Sequence, residues 1–143
     1  MRIDVLDGDC RQGAARMGKD GQQLQAIMEQ HPALHNGGYG GKPSVNTQEN
    51  RDALAGSVEA FARVRDWVAA NLQPIKGTNR RRSSYGMKHI AESEIGYITN
   101  GVFIAAMLAN GYRMDPNPGY NPSFNVSEDA LKTVESRLTW RAM

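Results

Sequence analysis

Residues 102–109 read Val-Phe-Ile-Ala-Ala-Met-Leu-Ala, eight apolar side chains in a row with no polar face. A helix that is hydrophobic all round has to be enclosed on every side. The flanks suit a helix: Asn100-Gly101 makes a tight entry and Gly111 stands at a C′ position, which predicts a helix from Thr99 to Asn110. The rest of the chain must supply the elements that wrap it. With 143 residues there is room for one domain of common size. A chain of that length buries about 68–70% of its unfolded surface, enough for a core without metal or disulfide support.

Other segments carry the helical period. Met17, Leu24, Ile27 and Met28 predict a helix mainly over 20–31, stopped by Pro32. Thr47 opens 25 residues without proline, and Leu54, Val58, Phe61, Val64, Val68 and Leu72 form one apolar stripe, predicting a single helix to Leu72. A helix from Ser84 to Ser93 precedes the apolar one, giving a helix-turn-helix-like pair. Ser127-Glu128-Asp129 opens a last helix with Ala130, Leu131, Val134 and Leu138 inward. Strand signals are few. Arg2 to Leu6 before the turn composition Asp7-Gly8-Asp9, and a β-hairpin of 112–114 with 123–126, are the candidates. The expected fold is mainly α: one small helical domain over 1–143 with a helix-turn-helix-like pair and a possible hairpin, the helical and hairpin block spanning 84–127. Glycine-rich residues 36–43 read as a flexible loop.

Charge is informative only locally. Seventeen Lys and Arg against 15 Asp and Glu leave +2, too little to declare a nucleic-acid binder. Between Lys76 and His89, however, Lys76, Arg80, Arg81, Arg82 and Lys88 bring five cations and no acid. Guanidinium and ammonium donors on a flexible loop over 76–84 suit phosphate, and Tyr85 adds a stacking surface. The same forks suit carboxylates, either of neighbouring helices or of an acidic protein patch. Arg113, at the start of the expected hairpin, joins the set as a further phosphate contact. The partner-binding residues expected are thus Lys76, Arg80, Arg81, Arg82, Tyr85, Lys88 and Arg113. Replacing Arg80, Arg81 and Arg82 together is expected to weaken binding and leave the melting temperature nearly unchanged.

Enzyme signatures are missing. Ser83, Ser84, His89 and Glu92 are helical neighbours without a nucleophile elbow, and they read as an N-cap and a structural histidine. His31 and His35 have i, i+4 spacing but are separated by Pro32, and no metal motif or P-loop occurs, so no cofactor or metal is expected. Cys10 alone excludes an internal disulfide, and Asp9 beside it disfavours a thiolate. No run reaches 18 apolar residues and no signal peptide is evident, which predicts a cytoplasmic protein away from membranes.

Arg81-Arg82-Ser83-Ser84-Tyr85-Gly86-Met87-Lys88-His89-Ile90-Ala91-Glu92, followed by Gly96-Tyr97-Ile98-Thr99-Asn100-Gly101-Val102-Phe103-Ile104-Ala105-Ala106, resembles a block of small proteins from bacteria, prophages and other mobile elements. The resemblance covers roughly residues 80–127 and carries no catalytic residues. It implies the company of short accessory proteins that includes anti-CRISPR inhibitors. The expectation is a non-enzymatic binding protein that occupies a host nucleoprotein complex or nucleic acid through its basic surface. A winged-helix-like DNA-binding regulator is the alternative, although residues 102–109 offer no donor to a base edge.

Overall fold

The computed structural model describes the backbone of residues 8–142 and the side chains of residues 18–138. It contains helices α1 (Gly8–Gln30), α2 (Gln48–Ala55), α3 (Val58–Asn71), α4 (Ser84–Ile95), α5 (Asn100–Ala109) and α6 (Glu128–Ala142). A two-stranded antiparallel ribbon, β1 (Leu34–His35) and β2 (Gly38–Tyr39), pairs Leu34 with Tyr39 and His35 with Gly38. The mainly α expectation holds. No helix among the described residues is long and apolar enough to cross a membrane.

The apolar segment is the centre of the molecule. Gly101 to Met107 of α5 are buried, with Phe103, Ile104 and Met107 at 0% exposure. Around α5 stand α1, α3, α4 and both strands, and α6 closes the outside of α3 and α4. One continuous core takes Leu24, Leu54, Phe61, Met87, Phe103 and Leu131 from the six helices in turn. Short polar side chains set the helix starts: Thr47, Ser83, Thr99 and Ser127 accept from the N–H three residues on. Gly96 and Gly111, at φ of +88° and +82°, end α4 and α5 in the left-handed region that glycine tolerates.

Four expectations change. The strand over Arg2 to Leu6 lies outside the described residues, but Gly8 and Asp9 begin α1 instead of making a turn. Glycine costs about 1 kcal/mol in a helix, and the buried face of Leu24, Ile27 and Met28 outweighs that at Gly18 and Gly21. The single helix expected from Thr47 to Leu72 breaks at Gly56-Ser57. Gly56 closes α2 through its N–H on the Asp52 and Leu54 carbonyls, and the Ser57 hydroxyl donates to Ala53, competing with helix continuation. Broken there, α2 lies across the end of α1, where Arg51 donates to the carbonyls of Met28, His31, Pro32 and Leu34. A cation meets the negative end of the α1 dipole.

The expected hairpin at 112–126 is reduced to one antiparallel bridge, Met114 with Phe124, and a second bridge joins Pro74 to Val126. Buried Asn125 ties three strands of chain together, accepting from the Arg113 N–H and donating to the Ile75 carbonyl. The glycine-rich segment is a pinned strap instead of a free loop. Asn36 donates its N–H to Asn50 and accepts from Gly101, Tyr39 donates to Tyr120, and buried His35 bonds Gly37 through Nδ1 and Gly40 through Nε2. Composition alone conceals this, because Asn50, Gly101 and Tyr120 lie 14 to 81 residues from the strap residues they hold.

Candidate nucleic-acid interface

Residues 73–82 leave α3, run beside 122–128 and enter α4. Backbone bonds from Ile75 to Asn125 and from Asn79 to Phe124 hold them, and the buried Asn79 amide reaches the Val126 carbonyl and Glu128. The basic segment is therefore seated on the fold. Its cations separate into two groups.

Arg82 and Lys88 turn inward, which corrects their expected place on a binding surface. Arg82 forks both Glu128 and Glu135 of α6 at 2.7 and 2.9 Å, with its side chain 20% exposed. Each carboxylate raises the Arg82 guanidinium further above its ordinary value, and hydrogen bonds from Arg82 and Asn79 bring Glu128 down to about 2. Lys88 is buried and donates to Glu92 at 2.8 Å, the i, i+4 pair that its spacing allows. Burial raises the Glu92 carboxyl, but Lys88, the Ile98 N–H and His89 together hold it below its ordinary value.

Lys76, Arg80, Arg81 and Arg113 stay outside, and the fold gathers them. The Arg113 guanidinium donates to the Lys76 carbonyl, although the two residues are 37 apart in sequence. Arg80 leans on Asp115 at 3.1 Å with most of its side chain in water. Asp115 sits low, held first by the Asn117 N–H and then by Arg80. Arg81 and Lys76 are exposed and form no ion pair among the described residues. Exposed Ile75 lies in the same patch and lines a shallow hollow with Asn79, Arg80, Arg81 and Glu128.

Tyr85 is half exposed and packs edge-on to His89, ring centroids 4.5 Å apart. It stands at the mouth of a cleft of about 480 Å³ that also takes Lys88, His89 and Glu92 of α4, Tyr97, and Asn36 and Asn50 from the strap and α2. Tyr97 is 76% exposed. Neither Tyr97 nor the two asparagines is a site expectation of the sequence. Tyr97 was open to notice, since it follows the turn glycine Gly96 with no apolar period to bury it. Asn36 and Asn50 gave no local signal, because only the pinned strap brings them to α4. His89 Nδ1 meets Glu92 at 2.9 Å, and Ser83 caps α4 through the Gly86 N–H. His31 bonds Tyr39 while both ring nitrogens of His35 are engaged, and no group of three metal-ligating side chains converges among the described residues.

Comparison with protein-family models, with curated proteins and with solved structures gives no match.

Proposed function

We propose that the protein is a non-enzymatic binding protein that holds single-stranded nucleic acid, as presented by a host nucleoprotein complex, and blocks that complex by occupying it. The reading keeps company with the mobile-element accessory proteins, anti-CRISPR inhibitors among them, that residues 81–106 resemble. The observation that carries it is the gathering of exposed Lys76, Arg80, Arg81 and Arg113 into one patch, where Asp115 meets Arg80 and Glu128, beside Arg80 and Arg81, is already held by Arg82. Phosphates bind such donors without demanding a sequence. Arg81 precedes the exposed ring of Tyr85 by four residues, a span of at most about 14 Å, so backbone contact and base stacking fall within one short strand. Single strands are favoured over duplex because α5, the second helix of the pair, is enclosed and has no face to lay in a major groove.

The test is fluorescence anisotropy with a single-stranded RNA, a single-stranded DNA and a duplex of equal length. The protein should prefer a single strand, and the variant Lys76→Ala, Arg81→Ala, Arg113→Ala should bind it at least tenfold more weakly. Equal binding by parent and variant would reduce the patch to a solvated surface.

A further inference from the structure

We infer that the cleft beside α4 is a pocket for one unpaired nucleobase, stacked against Tyr85 and Tyr97. The inference rests on the single-strand reading and names what the surface takes besides phosphate. Large apolar groups left in water are few here: Ile75, Tyr85 and Tyr97 among the described residues. Two of the three flank one cleft. Each tyrosine ring centroid lies within 5.3 Å of the Lys88 Nζ, so the rings stand within about 10 Å of each other. The Lys88 ammonium lies over both rings, so a planar group takes the exposed faces turned away from it, at a contact distance of roughly 3.5 Å. Lys88, 7% exposed, forms the floor beneath them.

Charge separates this cleft from the basic patch. Lys88 is already matched by Glu92 at 2.8 Å, so the floor has little pull on a bare anion. Phosphate belongs on the patch and an uncharged heteroaromatic belongs here. Hydrogen-bonding capacity fits such a group. Asn36 accepts from Thr99 through Oδ1, which leaves its Nδ2 as a donor; Asn50 spends its Nδ2 on the Val45 carbonyl, which leaves its Oδ1 as an acceptor. Both line the cleft. With Nδ1 of His89 held by Glu92, Nε2 is left for the solvent side. Base edges carry donors and acceptors side by side, and every base has a face to stack.

The experiment measures binding of an eight-nucleotide single strand and of an abasic strand with the same number of phosphates, for the parent, Tyr97→Ala and Tyr97→Phe. Tyr97→Ala should weaken the base-bearing strand about tenfold and leave the abasic strand unchanged, and Tyr97→Phe should restore most of the loss. Tyr97 is exposed on a linker, so folding is spared. The four nucleoside monophosphates, followed by NMR of the tyrosine rings, ask whether a free nucleotide suffices as the source of the base. Equal losses on both strands, or none, would overturn the pocket while salt-dependent strand binding kept the wider reading alive. Shifts of the Tyr85 and Tyr97 rings by mononucleotides, without binding of any strand, would keep the pocket and overturn the wider reading. If neither strands nor mononucleotides bind, both fall.

Discussion

Arg82 joins the entry of α4 to α6. In the sequence it is the third of three equivalent arginines; in the fold it is the bolt between α4's entry and α6, forking Glu128 and Glu135. Deleting it leaves two carboxylates facing each other in a half-buried place. Arg82→Ala should cost about 2 kcal/mol in a denaturant melt, whereas Arg81→Ala, exposed, should cost under about 0.5 kcal/mol. The triple replacement of Arg80, Arg81 and Arg82 therefore fails as a clean test of binding, because fold and function do not separate there. The same bolt makes stability depend on acid. Glu128 is held at about 2 against an ordinary 4.5, so its contribution is complete above pH 4.5 and is lost as pH falls from there toward 2. Glu135 is depressed by Arg82 as well and loses its part in the same direction. Melting temperatures measured across that window should fall in the parent, and fall less in Glu128→Gln, which has already lost the charge. A parallel decline in both proteins would place the acid sensitivity elsewhere.

At the scale of elements, the helices were open to reading wherever a hydroxyl cap and an apolar stripe coincided. Thr47, Ser83, Thr99 and Ser127 each sit at a helix start in the sequence and cap one in the fold. What escaped was set by partners distant in sequence. The strap at 34–41 has no periodicity because its bonds run to Asn50, Gly101 and Tyr120, and α2 separates from α3 where Arg51 draws it over the end of α1. Gly101 is the joint between strap and core: a Cβ there would stand 2.1 Å from the His35 carbonyl oxygen and 2.8 Å from the Asn36 Cα. Backbone cannot step aside as a flexible side chain can. Gly101→Ala should destabilise by about 3 kcal/mol and release the hydrogen-exchange protection of Asn36 and Tyr39. Near-neutral stability with the protection kept would mean that the strap packs less closely than described.

At the scale of the whole molecule, the enclosed helix α5 offers no face to a partner. A core helix without a polar face spends the helix-turn-helix-like pair on stability, so the surface proposed for a partner is the turn before α4, the bridge segment around Arg113 and the cleft with Tyr85 and Tyr97. The sequence marked the basic turn and Tyr85 because they are neighbours in the chain. It did not assemble Arg113 against Lys76, nor Tyr97 with Asn36 and Asn50, since tertiary contacts do that. If the patch neutralises phosphates of a single strand, the binding constant must depend on salt. Each phosphate contact contributes a log-log slope of about 0.7 on single strands, so removing Lys76, Arg81 and Arg113 together should flatten the slope by about 2. That flattening is expected, with a melting temperature close to the parent's. A parent protein whose affinity for single strands does not change with salt, or a triple variant that keeps the parent's slope, would contradict it.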